Sequence, residues 1–147
     1  MTSTLALLRD YYNQYFGLTT HLHTPALLLA RVYISWIFFK AGLVKLRDWD
    51  STLMLFEYEY QVPLLPFEIA AYLATAGELI LPILLTIGLL TKLSSLGLFV
   101  INLVAVIAYL DMTQAALNQH IFWGALMLMI TLFGSGDASL DKRFKIT

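Results

Sequence analysis

One ionisable side chain lies inside an apolar stretch, and this is the first place in the sequence where chemistry is expected. Glu78 stands near the middle of Phe67–Ile87, which is long enough to cross a bilayer, and Pro82 follows four residues later. A carboxylate at that depth must be paired or face water, so it marks a functional site by default. Proline donates no backbone hydrogen bond, so Pro82 is predicted to bend the helix and free the Glu78 carbonyl oxygen.

A basic partner for Glu78 is available on the preceding apolar stretch, where Arg31 and Lys45 belong to one polar stripe. At 1.5 Å per residue, Arg31 lies roughly 9 Å and Glu78 roughly 15 Å below the same boundary. An arginine side chain spans that difference, and an unpaired buried charge costs about 3 to 5 kcal/mol. The sequence therefore predicts an ion pair between Arg31 and Glu78. The alternative is that this pair serves helix packing alone.

Polar residues on the two later stretches can join the same site. Asn102 reaches nearly the depth of Glu78, and Tyr109 follows seven residues later on the same helix face. His120 lies about one turn inside the boundary of the last stretch, where a lone histidine is more often hydrogen-bonded than bound to a metal or haem. No metal site is predicted. Interhelical hydrogen bonds of this kind more often hold helices together than perform chemistry, and that alternative stays open.

These side chains together predict a small-molecule pocket. Its predicted lining is Arg31, Lys45, Glu78, Asn102, Tyr109 and His120. Quinone carbonyls need hydrogen-bond donors within an apolar slot, so a quinone or a similar apolar small molecule is the expected ligand. Because Arg31 lies deeper than Lys45 or Tyr109, the pocket is expected to open outward and to narrow near Glu78.

The composition is that of a membrane protein. Hydrophobic residues make up 59% of the 147 residues and charged residues 13%, whereas soluble domains have about 25% charged residues. The net charge of −1 provides no basic surface for nucleic acid. The absence of cysteine excludes thiol redox chemistry and iron–sulfur ligation. Any redox work therefore requires a bound cofactor or a partner protein.

Four stretches are long and apolar enough to span a bilayer. They are Pro25–Leu46, Phe67–Ile87, Leu93–Leu110 and Ala115–Phe133. Gly88 is expected to end the second helix and Thr91 to cap the third, which makes these two helices an antiparallel hairpin. The predicted fold is an all-α integral membrane four-helix bundle.

Two further helices are predicted outside the spans. Ser3–Phe16 has the spacing of an amphipathic interfacial helix that ends at Gly17, and Asp50–Tyr60 resembles a short outer helix capped by Asp50 or Ser51. The chain is then one domain, with an interfacial helix and entry loop in residues 1–24, the bundle in 25–134 and a tail in 135–147. The distribution of lysine and arginine places both termini in the cytoplasm.

Several segments, in their order along the chain, carry a family resemblance. They are Phe38–Leu46, Tyr60–Pro63, Gly77–Leu79, Gly88–Lys92 and Gly134–Asp141. Over residues 30–141 the sequence resembles the DoxX family of small four-helix bacterial membrane proteins. The resemblance implies an inner (plasma) membrane location and association with membrane oxidoreductase assemblies, including a thiosulfate:quinone oxidoreductase. It also puts Arg31, Lys45 and Glu78 at the family's charged positions.

Three functions remain open from the sequence. The first is an accessory or anchor subunit of a membrane redox system, in contact with the lipid bilayer and a redox partner protein. The second is a proton-coupled transporter or exporter in which Glu78 is the switch, and four helices would then require a homo-oligomer. The third is a membrane scaffold without chemistry, in which the charged cluster specifies packing.

Overall fold

The computed structural model describes residues 2–146, with the side chains of 2, 3, 5 and 13–21 left aside. Six helices follow one another along this part of the chain. They are α1 (Thr2–Arg47), α2 (Trp49–Tyr58), α3 (Phe67–Ile87), α4 (Thr91–Ala108), α5 (Gln114–Phe133) and α6 (Leu140–Phe144). Four segments are long and apolar enough to cross a membrane: Leu22–Arg47, α3, α4 and α5. The prediction of an all-α four-helix membrane bundle is confirmed.

Helix α1 differs from its prediction. It runs without interruption from Thr2 to Arg47, with Pro25 inside it, so the predicted helix end at Gly17 is wrong. A single glycine inside a helix costs only about 0.5 to 1 kcal/mol relative to alanine, and it ends a helix only where the chain can turn and find new partners. An interfacial position for the first part of α1 stays a prediction.

The bundle is held together around a core between α1, α3, α4 and α5. The core consists of Ala30, Ile34, Phe38, Leu85, Leu98, Met127 and Ile130. Helices α1 and α3 approach each other closely at Gly42, where an added Cβ atom would lie 2.9 Å from Leu79 Cγ and 3.2 Å from the Glu78 carbonyl carbon. Glycine is required there because small residues allow helix backbones to meet in a membrane.

The two ends of the bundle are built differently. At one end, the Gly88 end, α3 and α4 are joined by a short turn in which Gly88 has a φ of 71°. At the other, the Tyr60 end, α2 packs on α3 through Phe56, Ala70 and Ala71. Gly88 ends α3 as predicted, because a left-handed residue there lets the last carbonyl groups be satisfied.

The connections at the Tyr60 end are fixed by specific hydrogen bonds. The carboxylate of Asp48 caps α2, accepting from Ser51 N at 3.1 Å and from Ser51 Oγ at 2.6 Å, so the predicted caps Asp50 and Ser51 are wrong. The segment after α2 pairs with the end of α4, where Gln61 N donates to Ala108 O at 2.9 Å. This pairing brings the rings of Tyr60 and Tyr109 to a centroid distance of 5.4 Å.

Candidate functional site

The buried carboxylate in the middle of α3 has a different partner from the one predicted. Lys45 Nζ lies 2.6 Å from Glu78 Oε2, and the two side chains are only 20% and 10% exposed. The predicted ion pair between Arg31 and Glu78 is therefore wrong. The expectation that Glu78 faces inward is confirmed, since only 10% of its side chain is exposed.

The register of α1 on α3 explains the change of partner. Gly42 packs beside Glu78 and Leu79, and Lys45 follows one turn later. Arg31 precedes Gly42 by eleven residues, which places it about 16 Å further along α1. The depth count had assumed that Pro25 on α1 is level with the end of α3, whereas Arg31 itself is level with Leu85 and Thr86 there. Arg31 therefore lies beside the end of α3.

Arg31 is fully buried and binds backbone oxygens at the Gly88 end. Its Nε donates to Leu85 O at 2.9 Å, and its Nη2 donates to Thr86 O at 2.9 Å. Its Nη1 donates to Ser135 O at 2.6 Å and to Ala138 O at 3.0 Å. The last carbonyl groups of a helix lack intrahelical donors and form the negative end of its dipole. Arg31 thus caps α3 and fastens the segment after α5 to it.

Asp141 completes this structural cluster. Its carboxylate is buried and accepts from Leu90 N at 2.7 Å and from Thr91 N at 2.8 Å. It therefore caps the N-terminus of α4 in place of Thr91, whose hydroxyl has no hydrogen-bond partner within the described residues. An added Cβ atom at Gly88 would lie within 2.4 Å of Arg31 Nη2. The charges of Arg31 and Asp141 at the Gly88 end are thus satisfied by backbone groups and fix the turn between α3 and α4.

Asn102 and His120 form a second pair, between α4 and α5. His120 Nδ1 lies 2.8 Å from Asn102 Oδ1, and Asn102 Nδ2 donates to His120 O at 3.0 Å. The His120 ring also meets the edge of Trp123 at 5.0 Å. These two hydrogen bonds join α4 to α5.

A cavity of about 190 Å³ lies between α3, α4 and the segment after α2. Lys45 and Glu78 are the predicted site residues that line it, and we refer to it as the Glu78 cavity. The rest of its lining is Phe56, Tyr60, Val62, Leu65, Ala70, Leu73, Ala74, Val100, Ile101, Val104, Ala105 and Ala108. The cavity reaches from Tyr60 to Glu78. The sequence prediction placed too many polar residues around it.

Tyr60 is the third polar side chain of the Glu78 cavity, and the sequence prediction did not include it. Its ring contacts Phe56 at 5.0 Å and Tyr109 at 5.4 Å. Burial raises the pKa of the Tyr60 hydroxyl, and the neighbouring charge of Glu78 raises that pKa further. The hydroxyl therefore stays protonated and can donate a hydrogen bond. Tyr109 touches the site only through Tyr60.

The space of the cavity comes from small residues on α3 and α4. Ala70 and Ala74 stand on one wall, and Ala105 and Ala108 on the other. In the sequence, the cavity wall on α3 could have been recognised from the run of small residues on the second apolar stretch. Such a run suggests close helix packing as readily as a cavity. Tyr60 could have been recognised as a candidate site residue in another way, because it begins one of the segments in which the sequence resembles a known family.

Comparisons with known proteins identify the family of this chain. The sequence profile of the DoxX family matches residues 26–110. A protein of Haemophilus influenzae described as uncharacterized is 32% identical over 132 residues, which cover 82% of this chain and 83% of the relative. No solved structure matches the chain significantly. The whole lining of the Glu78 cavity lies inside the matched range, whereas Asp141 lies beyond it.

Proposed function

The chain belongs to the DoxX family of membrane proteins, and from this premise we propose that it binds a quinone or a similar small apolar molecule in the Glu78 cavity. In this proposal it serves as an accessory or anchor subunit of a membrane redox system. The observation that carries the proposal is an apolar cavity with the Lys45 and Glu78 pair at its deep end.

The size of the cavity suits a single ring. A cavity of about 150 Å³ accepts benzene in a protein interior, whereas drug-sized ligands need about 300 Å³ or more. At about 190 Å³ the Glu78 cavity has room for one substituted ring. An isoprenoid tail would have to extend from the cavity mouth.

The mouth of the cavity suits a ligand that arrives from the bilayer. Leu73 on α3 and Val100 on α4 both line the cavity and are at least half exposed. Both stand inside candidate membrane spans, so their exposed surfaces contact acyl chains. A ring would enter between these two helices while its tail stays in lipid.

The deep end of the cavity offers a strong donor to a ring oxygen. The Lys45 ammonium has three N–H groups, and Glu78 Oε2 takes one. A buried ion pair costs desolvation energy that its mutual attraction does not always repay. Lys45 and Glu78 form their ion pair beside a cavity and not inside a packed core. Ligand binding therefore explains this pair better than helix packing does.

A thermal-shift titration with a short-tailed quinone tests the binding proposal. Ala74→Leu fills the cavity, whereas Ala76→Leu adds the same atoms at an exposed position two residues later on the same helix. The wild type and Ala76→Leu should be stabilised by added quinone, and Ala74→Leu should not. Equal shifts in all three would mean that the quinone acts through the lipid or detergent.

The redox role is tested separately from binding. Crosslinking in native membranes, followed by mass spectrometry, should join the protein to an oxidoreductase. Recovery of the protein only with itself would favour the transporter or scaffold function instead.

A further inference from the structure

The polar atoms of the Glu78 cavity include an acceptor as well as donors. Glu78 Oε2 is bound to Lys45, but Glu78 Oε1 has no hydrogen-bond partner within the described part of the chain. Glu78 lines the cavity and keeps about a tenth of its side chain exposed. An ionised carboxylate only accepts hydrogen bonds, so a complementary ligand must bring a donor.

From this geometry we infer that the cavity selects a phenol-class ring, which donates its O–H to Glu78 while its oxygen accepts from Lys45. Within the proposed function, on which this inference rests, the protein prefers the reduced quinol form over the quinone. A quinone has only acceptor oxygens. It can use the Lys45 donors but leaves the carboxylate unsatisfied.

The surroundings of the pair strengthen this preference. Beyond Lys45, Glu78 and Tyr60, the lining consists of apolar side chains, so few other protein groups compete for Glu78 Oε1. An unsatisfied acceptor costs more when it is buried and charged. Tyr60 is the one other residue with a side-chain donor in the lining, and the charge of Glu78 contributes to the raised pKa of its hydroxyl.

The inference has a consequence for redox chemistry. A site that binds the quinol tenfold more tightly than the quinone raises the midpoint potential of the bound two-electron couple by about 30 mV. The protein would then hold the product of a reductase reaction, or present the substrate of an oxidase reaction. No electron transfer by the protein itself is required.

A matched ligand series in the wild-type protein tests the inference. Phenol, toluene and anisole all carry one ring, but toluene has neither acceptor nor donor, and anisole has an acceptor without a donor. Dissociation constants are measured by calorimetry in lipid nanodiscs, with the Ala74→Leu variant used to subtract partition into lipid. Phenol should bind on the order of tenfold to a hundredfold more tightly than anisole or toluene.

The outcomes separate this inference from the binding proposal. Equal affinities for phenol and anisole, with binding lost in Ala74→Leu, would overturn the phenol preference and leave the cavity as a ligand site. Absence of saturable binding by all three would overturn both. In Glu78→Gln, whose amide can also donate, the preference for phenol over anisole should shrink.

Tyr60→Phe gives a second control that does not touch the ion pair. The variant should keep the preference for phenol, because it leaves the Lys45 and Glu78 pair in place. Loss of the preference in Tyr60→Phe would assign selectivity to the tyrosine hydroxyl and overturn the role given to Glu78.

Discussion

At the scale of single residues, four buried or mostly buried charges divide into two groups with different surroundings. Arg31 and Asp141 are surrounded by backbone groups that they satisfy, and they fix a helix turn. Lys45 and Glu78 bind each other beside the Glu78 cavity and keep hydrogen-bonding capacity to spare. The sequence identified three of these four side chains but paired them wrongly. Residue depth depends on where each helix meets its neighbour, and composition does not reveal that register.

The Lys45 and Glu78 pair should show energetic coupling. Lys45→Met and Glu78→Gln are each expected to destabilise the protein by about 3 to 5 kcal/mol, because either change leaves a buried charge or polar group unpaired. The double variant should be more stable than the sum of the two single effects implies. The measurement is thermal or denaturant unfolding in detergent.

Lys40→Met is the matched control for this cycle, since Lys40 is exposed on the same helix. It should change stability little. Strict additivity of Lys45→Met and Glu78→Gln would show that the two side chains do not interact in the membrane protein.

The carboxylate of Asp141 should matter far more than a neighbouring acid on the surface. Asp141→Ala removes two hydrogen bonds from buried backbone groups, at an expected cost of about 2 kcal/mol or more. Asp137→Ala, which removes an exposed ion pair with Lys142, should have little effect. Comparable melting temperatures for the two variants would contradict the capping role of Asp141.

At the scale of elements, hydrophobic length predicted all four spans to within three residues at each end. Apolar length is set by bilayer thickness and is therefore readable in the sequence.

The helix caps were less predictable than the spans. The cap of α4 comes from Asp141, about fifty residues away in sequence, and that of α2 from Asp48, just ahead of the predicted positions. A local pattern contains no information on a distant donor or acceptor.

The close contact of α1 and α3 should be sensitive to a side chain added at Gly42. Gly42→Val would force the backbones apart, because even one Cβ atom meets Leu79 Cγ at 2.9 Å. We expect a loss of about 1 to 3 kcal/mol in unfolding free energy. Ala76→Val, on an exposed face of α3, is the control and should be nearly neutral. A stable Gly42→Val variant would rule out this helix register.

At the scale of the whole molecule, four spanning helices put the Tyr60 end and the Gly88 end on opposite sides of the membrane. The positive-inside rule predicts that the Gly88 end is cytoplasmic. Because the chain has no cysteine, Glu59→Cys and Lys145→Cys each provide a single labelling site. An impermeant reagent outside the cell should label the first and spare the second. The reverse pattern would invert the topology, and labelling of both would refute it.

The most direct test of the central claim is to identify the small molecules that remain with the protein after mild purification from its native membrane. Extracts of the wild type, Ala76→Leu and Ala74→Leu are compared by mass spectrometry. We expect a ring compound with a hydroxyl or carbonyl oxygen, near one molecule per chain, in the first two preparations and its loss in Ala74→Leu. Equal amounts in all three, or no such compound in any, would contradict a ligand site at the Glu78 cavity.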